Sequence, residues 1–385
     1  MMNYSYPDIL VLGSTGSVGE QALDVARQCG IRVRGISAHK NWRRVAEQAR
    51  AFGVSNVAMT DEGAARELRA ALADTAVRVY SGEAGLLEMI RESDAAFAVN
   101  SILGEAGLMP TLAALESGKD LALANKESLV VAGEIVMRTA KEHGRTITPV
   151  DSEHSAIFQS LRAGAHGEIK NLILTASGGP FFGKKREDLA KITVDDALAH
   201  PTWNMGAKIT VDSATLMNKG FEVIEAAHLF GVAADQIKVV VHRESIIHSM
   251  VEYIDNSIIA QMSVPDMRLC VQYALTAPHR TPSVIPPLDL LSVGKLSFAA
   301  PDEETFPLLR AAKAALAAGG AAPAALNAAN EVAVDAFLAR KISMLQLFDI
   351  VLGTVGDMPH ASAAQTLSEI IDVDREARER AAARL

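Results

Sequence analysis

The feature that most constrains the fold is a short apolar run followed by a glycine-rich turn and an amphipathic stretch. Ile9–Leu12 forms the apolar run, Gly13, Gly16 and Gly19 mark the turn, and residues 20–29 form the amphipathic stretch. A short, continuous apolar run before a helix is typical of a strand buried in a parallel sheet. The beginning of the chain therefore predicts a βα unit of an α/β fold.

The same alternation continues through residues 8–150. Apolar runs that alternate with helical stretches predict a parallel, doubly wound and Rossmann-like sheet. Further strands are predicted at residues 33–37, 56–59, 95–100 and 120–124, and a helix at residues 42–52.

The rest of the chain has a different pattern. Strands at residues 171–175, 238–241 and 257–262, with a helix near 213–230, predict a central α+β region with antiparallel strands. Prolines interrupt the next stretch, and the last one is rich in alanine and leucine at helical spacing. We therefore predict a nucleotide-binding domain at 1–150, a central α+β domain at 151–277, a linker at 278–302 and a C-terminal helical bundle at 303–385.

Composition narrows the class of protein. The chain of 385 residues has a net charge of −9 with both signs interspersed, which argues against a nucleic-acid partner. Cys29 and Cys270 are too few for a disulfide framework and suit a reducing compartment. No stretch reaches the roughly 18 apolar residues of a membrane span, and residues 1–6 lack the features of a signal peptide. We expect a cytoplasmic enzyme.

The glycine-rich turn is a candidate nucleotide site. Its spacing, GxxGxxG, lets backbone N–H groups at a helix N-terminus approach a pyrophosphate, although an ordinary βα turn is the alternative. The second strand ends in Ser37, His39 and Lys40, where an NAD site would have an acid. A hydroxyl, an imidazole and a lysine favour the 2′-phosphate of NADP, unless Lys40 is only a solvated surface lysine.

Three carboxylates form a candidate metal site. Asp151 and Glu153 are two residues apart and, on an extended chain, would point to the same side. Glu222 adds a third acid from a helix, and oxygen ligands of this kind suit Mg²⁺ or Mn²⁺. The alternatives are a polar loop for the first pair and, for the nearby Glu225, a solvated helix carboxylate.

Hydroxyl, amide and ammonium groups next to the third acid suit a phosphate. Ser213 follows the strand-like run Ile209–Val211, and Asn218 and Lys219 come shortly after it. Ser177 adds a hydroxyl after a strand, although its glycine-rich surroundings could form only a turn.

Two further segments complete the candidate site. His200–Gly206 contains Pro201 and Trp203 and predicts a lid that excludes water, unless the tryptophan fills a core. Lys126 follows a strand at the edge of the sheet where ligands bind, and could balance the carboxylates. His248 lies among apolar residues, which favours a hydrogen-bonded core histidine over a catalyst.

Taken together and in order, these segments closely resemble the 1-deoxy-D-xylulose 5-phosphate reductoisomerase family of the non-mevalonate isoprenoid pathway. The matching runs are LGSTGSVG at 12–19, LANKESLV at 123–130, PVDSEHSAIFQSL at 149–161, TASGGPF at 175–181, HPTWNMGAKITVDSATLMNKGFEVIE at 200–225, SIIHSMV at 245–251 and LNAANE at 326–331.

The resemblance implies rearrangement and NADPH-dependent reduction of 1-deoxy-D-xylulose 5-phosphate to 2-C-methyl-D-erythritol 4-phosphate. It implies a divalent metal, which is Mg²⁺ or Mn²⁺ with Co²⁺ as a third option. It also implies a homodimer and assigns catalysis and dimerisation to residues 151–277. The alternatives from other classes are a different NADP-dependent dehydrogenase, of a small phosphorylated or amino-acid-pathway substrate, and a non-catalytic NADP sensor. A semialdehyde dehydrogenase would need an activated cysteine, which neither cysteine here resembles.

The resemblance also implies roles for individual residues. The metal ligands are Asp151, Glu153 and Glu222, and the catalytic residues are Lys126, Ser152, Glu153 and His200. The substrate contacts Ser177, His200, Trp203, Met205, Ser213, Asn218, Lys219 and Glu222, and the cofactor contacts Gly13, Thr15, Gly16, Ser17, Val18, Ser37, Lys40, Asn41, Asn125 and Glu127.

The chain departs from the family pattern at a few positions. His39 stands where glycine is frequent, and Arg243 and Glu244 stand in a run that often reads HPQS. The departures leave the local loop contacts at these positions open, while Lys40 and Asn41 are retained.

Overall fold

The computed structural model describes residues 6–203 and 205–385 and divides the chain into two compact units. The first unit contains residues up to 128, 136–155 and 266–286. The second contains residues 129–135, 156–265 and 287–385. In the described ranges, no helix is both long and apolar enough to cross a membrane.

The first unit is built on a parallel sheet of seven strands. Its strands are β1 (Ile9–Leu12), β2 (Val33–Ala38), β3 (Asn56–Met59), β4 (Arg78–Ser81), β5 (Phe97–Asn100), β6 (Asp120–Leu123) and β7 (Ile147–Pro149). Every neighbouring pair is parallel, and the order across the sheet is β4-β3-β2-β1-β5-β6-β7. The predicted doubly wound sheet is confirmed.

Helices follow the strands of this unit and cover the sheet. They are α1 (Ser17–Cys29), α2 (Trp42–Phe52), α3 (Glu62–Ala71), α4 (Gly82–Glu92), α5 (Leu108–Glu116), α6 (Glu127–Glu142), α7 (Ser152–Ser160) and, later in the chain, α12 (Met267–Thr276). Helices α6 and α7 also contribute residues to the second unit. All four residues of β1 are buried, which explains why its sequence is apolar without alternation.

The second unit contains a mixed sheet of four strands and most of the remaining helices. The strands are β8 (Ile169–Ala176), β9 (Ile237–Val241), β10 (Ile247–Tyr253) and β11 (Ile258–Met262), in the order β11-β10-β8-β9. Strands β8 and β9 are parallel, and β10 is antiparallel to both β8 and β11. The antiparallel strands expected from the sequence are therefore present.

The helices of the second unit are α8 (Arg186–Leu189), α9 (Val194–Leu198), α10 (Ala207–Ala214), α11 (Met217–Phe230), α13 (Leu290–Val293), α14 (Leu308–Ala318), α15 (Ala322–Leu338), α16 (Met344–Gly356) and α17 (Leu367–Ala382). All of them except α13, which has no buried residue, share one hydrophobic core with this sheet. Leu174 of β8, Phe221 of α11 and Phe337 of α15 all belong to that core.

The two units do not coincide with the four segments predicted from the sequence. Residues 303–385 join residues 156–265 because their apolar side chains bury one another, and residues 266–286 join the first unit. The functional boundaries at 150, 277 and 302 stay a prediction.

Two local expectations were wrong. Ile209–Val211 is not a strand but lies inside α10, although its branched side chains favour extended backbone. Thr210 donates its hydroxyl to the Gly206 carbonyl at 2.8 Å, and Val211 is fully buried, so packing outweighs local propensity. Glu153 lies in the first turn of α7 rather than on an extended segment, and Asp151 immediately precedes that helix.

Candidate active site

The glycine-rich turn is tight because two of its positions, Gly13 and Gly19, leave no room for a side chain. Gly13 has a φ of +82°, and a Cβ there would lie 2.8 Å from the Ser101 carbonyl oxygen. A Cβ on Gly19 would lie 2.2 Å from the Gly13 carbonyl oxygen. The turn therefore brings backbone close to backbone at the carboxyl end of β1.

Helix α1 begins at this turn without a side-chain cap. Gly16 is its N-cap residue, and no side chain hydrogen-bonds the first turn from that position. The backbone N–H groups at such a helix start attract anions, because they carry the positive end of the helix dipole. Thr15, Ser17 and Val18 lie at this end of the helix, as predicted for the residues around a pyrophosphate.

A buried glutamine that sequence reasoning missed fixes this turn. The Ser14 hydroxyl donates to Gln48 Oε1 at 2.7 Å, and Gln48 Nε2 donates to the Ser14 carbonyl at 2.9 Å. Gln48 lies on α2 and is 2% exposed. No local pattern marks Gln48, since its partner is 34 positions earlier in the chain.

The end of β2 is organised mainly by structural contacts. The Ser37 carbonyl accepts the N–H groups of Gly13 and Ser14 at 3.0 and 2.8 Å, and the Ser37 hydroxyl accepts Gly13 N–H at 3.3 Å. Asn41 caps α2 by accepting Arg44 N–H at 3.3 Å. Lys40 is exposed beside them, so its ammonium group is accessible to a ligand. Contact of these residues with a 2′-phosphate stays a prediction.

The Asn125 side chain hydrogen-bonds the backbone that follows β5. Its amide donates to the carbonyls of Ile102 and Gly104 at 2.7 and 2.8 Å, and its Oδ1 accepts Ser128 N–H at 3.0 Å. Glu127 accepts a further bond from the same amide at 3.2 Å. Both residues thus shape a loop at the carboxyl edge of the sheet, and their predicted cofactor contact stays a prediction.

Carboxylates and a lysine lie together where α7 begins. Asp151 and Glu153 each offer an oxygen within 4.8 Å of the other. Lys126, which is 5% exposed, places Nζ 2.6 Å from Asp151 Oδ2, and the Ser152 hydroxyl donates to Glu153 Oε2 at 2.6 Å. The lysine offsets the negative charge, as predicted, and the oxygen atoms are of the type that binds a hard divalent cation.

The corner between α10 and α11 carries the third acid and the candidate phosphate donors. The backbone turns at Leu216, whose φ is +61°. Lys219 Nζ hydrogen-bonds Glu222 Oε2, and Asn218 Nδ2 donates to Glu222 Oε1 at 2.5 Å. Lys219 and Glu222 are 4% and 1% exposed, so this ion pair is buried. Glu225 is also buried, and the expectation of a solvated carboxylate there was wrong because α11 is enclosed by other helices.

Ser177 lies next to this corner. A Cβ on Gly179 would lie 2.8 Å from the Ser213 carbonyl oxygen, so the turn after β8 packs closely against the end of α10. The Ser177 hydroxyl also lies 2.9 Å from His200 Nε2. The structure thus brings together Ser177, His200 and Ser213, which the sequence placed in one substrate site.

His200 is held in its neutral form. Its Nδ1 accepts the N–H groups of Thr202 and Trp203 at 3.2 and 2.9 Å, which leaves the proton on Nε2, facing Ser177. Burial lowers the pKa of His200, and the positive charge of Arg243 lowers it further. His200 therefore donates a hydrogen bond at neutral pH.

The described residues 201–203 and 205–206 have an irregular backbone, and their role as a lid stays a prediction. The Trp203 ring lies 6.1 Å from the ring of His248, and Met205 is half-buried. Residue 204 of the predicted lid lies outside the described residues. His248 Nε2 lies 2.9 Å from the Ser263 hydroxyl and its side chain is buried, so the prediction of a hydrogen-bonded core histidine is confirmed.

Comparison with known proteins identifies the family. Models described as 1-deoxy-D-xylulose 5-phosphate reductoisomerase and as its C-terminal domains match residues 9–133, 147–230 and 262–380. The chain belongs to the 1-deoxy-D-xylulose 5-phosphate reductoisomerase family. The resemblance noted from the sequence motifs is confirmed.

Individual relatives cover nearly the whole chain. The reductoisomerase of Clostridium botulinum strain Loch Maree is 49% identical over 376 residues, which is 97% of each chain, and that of Caldanaerobacter subterraneus is 50% identical over 375 residues with the same coverage. The solved reductoisomerase of Zymomonas mobilis in complex with NADPH is 40% identical, with a TM-score of 0.92 over 98% of this chain and 99% of that one. A reductoisomerase in complex with NADPH, fosmidomycin and magnesium is 38% identical, with a TM-score of 0.93 over 98% of each chain.

The close approach at Gly19 leads to a first prediction. Replacing Gly19 with alanine forces the turn to move, because the new Cβ meets backbone atoms rather than a flexible side chain. We expect NADPH binding to weaken about tenfold, equivalent to ~1.4 kcal/mol, as measured by fluorescence titration. Gly356→Ala is the matched control, since that helical glycine has nothing within 4 Å of the added Cβ. Equal affinity for Gly19→Ala and the wild type would contradict the role of this turn.

Proposed function

We propose that this protein catalyses the NADPH- and divalent-metal-dependent rearrangement and reduction of 1-deoxy-D-xylulose 5-phosphate to 2-C-methyl-D-erythritol 4-phosphate. The observation that carries the proposal is an identity of 49% or more to reductoisomerases along 97% of the chain. The carboxylates, lysines and hydroxyls that the family resemblance assigns to the site are also present in the sequence.

The first unit fits NADPH. The glycine-rich turn and the uncapped start of α1 present backbone N–H groups to a pyrophosphate, and a Cβ at Gly13 or Gly19 would clash with the backbone that forms this turn. Thr15, Gly16, Ser17 and Val18 lie at this turn, and exposed Lys40 is suited to the 2′-phosphate. When bound, NADPH supplies the hydride for the reduction.

We assign the divalent cation to Asp151, Glu153 and Glu222. Carboxylate oxygens without cysteine or paired histidine fit Mg²⁺ or Mn²⁺ better than zinc, and Co²⁺ is a third option. The relatives solved with magnesium support this choice. When bound, the cation supplies a Lewis acid that polarises substrate oxygens.

The chain's own residues bind and orient the substrate. Ser177, Ser213, Asn218 and Lys219 offer hydroxyl, amide and ammonium donors to a phosphate group, which anchors the reacting carbons by remote binding energy. Lys126 and Ser152 lie beside the carboxylates and can contact substrate oxygens. His200 donates from Nε2, and Trp203 and Met205 exclude water.

The alternative functions explain fewer observations. Another NADP-dependent dehydrogenase would not need the three acids, and a semialdehyde dehydrogenase would need a reactive thiol. Burial raises the pKa of Cys270 to about 12, and burial also raises the pKa of Cys29, so neither thiol is activated. A non-catalytic sensor would not need the metal ligands. Family membership does not favour any of these alternatives.

The assay of the proposed reaction is the second prediction. With 1-deoxy-D-xylulose 5-phosphate and Mg²⁺ or Mn²⁺, we expect NADPH to be oxidised, followed as loss of its near-ultraviolet absorbance. Chelation with EDTA abolishes the reaction, and addition of the metal restores it. Full activity after chelation would contradict the metal requirement, and no oxidation with either metal would contradict the proposed function.

The assignment of the third metal ligand gives a third prediction. Glu222→Gln keeps the size of the side chain but removes a negative charge, so we expect turnover to fall more than about hundredfold and the metal concentration for half-activation to rise. Glu187→Gln, an exposed carboxylate on α8, serves as control and is expected to behave like the wild type. Unchanged metal dependence in Glu222→Gln would make the assignment wrong.

We propose that the protein is a homodimer that works in the cytoplasm. Strand β11 is an edge strand, and Ile258 and Ile259 on it are 52% and 38% exposed. An edge strand with exposed apolar side chains can bind a second copy of the chain, because the contact would bury those side chains and pair the free edge. The free thiols of Cys29 and Cys270 suit a reducing compartment.

The edge strand gives a fourth prediction. We expect the wild type to sediment as a dimer and Ile258→Lys to shift the population to monomers, because the lysine would bring an unpaired charge into the interface. Leu291→Lys, at a position on α13 that is 93% exposed, is the control and should stay dimeric. A dimeric Ile258→Lys would place the interface elsewhere.

A further inference from the structure

The turn after β9 carries two side chains that the family pattern does not explain. His242–Ser245 reverses the chain, with the Ser245 N–H bonded to the His242 carbonyl at 3.3 Å and a φ of +51° at Ser245. The side chains of Arg243 and Glu244 contact different parts of the chain. The two departures therefore have different structural roles.

Arg243 hydrogen-bonds the backbone of the turn that contains Ser177. Its Nη1 donates to the Ser177 carbonyl at 2.9 Å and to the Gly179 carbonyl at 2.6 Å. Its guanidinium also lies 5.2 Å above the ring of Phe182. Gly178, which lies between these two residues, has a φ of +76°. One guanidinium group therefore hydrogen-bonds the carbonyls on both sides of this backbone kink.

The fixed turn also sets the hydrogen bonds of the Ser177 hydroxyl. Ser177 Oγ accepts the Gly179 N–H at 3.2 Å and, since the proton of His200 is on Nε2, it also accepts from that nitrogen at 2.9 Å. Both lone pairs are then occupied, and the hydroxyl proton is left to point away from them. A hydroxyl held in this way is a donor with a fixed direction, which suits a phosphate oxygen.

We infer that Arg243 is a positioning residue of the phosphate site, which fixes the turn at Ser177 so that the Ser177 hydroxyl is a donor with a fixed direction. The inference rests on the proposed function, because it specifies how the substrate's phosphate is held. The charge of Arg243 contributes as well, since it disfavours a second positive charge on His200. Arg243 contacts no reacting atom in this assignment and acts through Ser177 and His200.

Glu244 does something different. It accepts the Ser297 hydroxyl at 2.7 Å. Burial alone would raise the pKa of Glu244, but this hydrogen bond, together with backbone hydrogen bonds and the nearby His242, outweighs burial and lowers the pKa. His242 Nδ1 lies 2.9 Å from the Ser297 carbonyl. Glu244 therefore ties the turn to residue 297 of the predicted linker, and it makes a matched control from the same turn.

The test compares Arg243→Leu, Arg243→Lys and Glu244→Gln in the full-length protein. For Arg243→Leu we expect KM for 1-deoxy-D-xylulose 5-phosphate to rise about tenfold while KM for NADPH stays at the wild-type value. The pKa of His200, followed by NMR with His200→Gln to assign its signal, should rise, because a positive neighbour is lost. Affinity for inorganic phosphate, used as a probe without turnover, should fall by a similar factor.

The other variants separate positioning from a general structural role. Arg243→Lys keeps the positive charge and N–H donors but loses the planar guanidinium, so the pKa of His200 should stay near the wild-type value and KM should be partly restored. Glu244→Gln should change neither. If Arg243→Leu leaves the pKa of His200 and the phosphate affinity unchanged in a folded protein, the inference is overturned. A wild type that binds phosphate but does not oxidise NADPH with the substrate would instead overturn the proposed function.

Discussion

The site depends on carboxylates that pair with buried lysines. Glu222 is 1% exposed and pairs with Lys219 on the same helix, and the partly exposed Asp151 pairs with Lys126, which is 5% exposed. Removing such charges from water costs several kcal/mol for each ion, and the attraction within a pair returns only part of this cost. Such pairs are poor stabilisers of a fold, but they hold ligand atoms ready at fixed positions, which is what a site for a metal and a phosphate needs.

The close packing of α11 makes this burial possible. A Cβ on Gly220 would lie 2.5 Å from the Cβ of Ala312 on α14, so only glycine lets the two helices approach this closely. Lys219 and Glu222 lie on either side of Gly220 in the sequence and are both buried. The apolar C-terminal helices therefore do more than add a bundle to the end of the chain, since they create the dry surroundings of the third acid.

Sequence reasoning succeeded where the signal is local. Five strands of the parallel sheet were predicted from short apolar runs, and α1 and α2 end where predicted, at Gly30 and Gly53 with φ values of +68° and +61°. The strands β4 and β7 were not predicted. Sequence reasoning failed where distant contacts decide. The run Ile209–Val211 favours a strand by propensity but is helical because its neighbours bury it, and Glu225 is enclosed by residues far along the chain. Gln48 fixes the glycine-rich turn by hydrogen-bonding Ser14, which is distant in the sequence. The periodicity of hydrophobic residues does not reveal a contact of this kind.

A single buried chain of contacts explains why Ser213 needs the C-terminal helices. Asp212, next to Ser213, accepts the amide of Asn330 on α15 at 2.7 Å and the ammonium of Lys208 at 2.9 Å. Asp212 is 2% exposed and Asn330 is fully buried, so these bonds have little competition from water. Lys208 follows the predicted lid by two residues, and Ser213 is a predicted phosphate ligand. The run LNAANE therefore belongs to the family pattern for a physical reason, since its second asparagine fixes the helix that joins the lid to the phosphate donors.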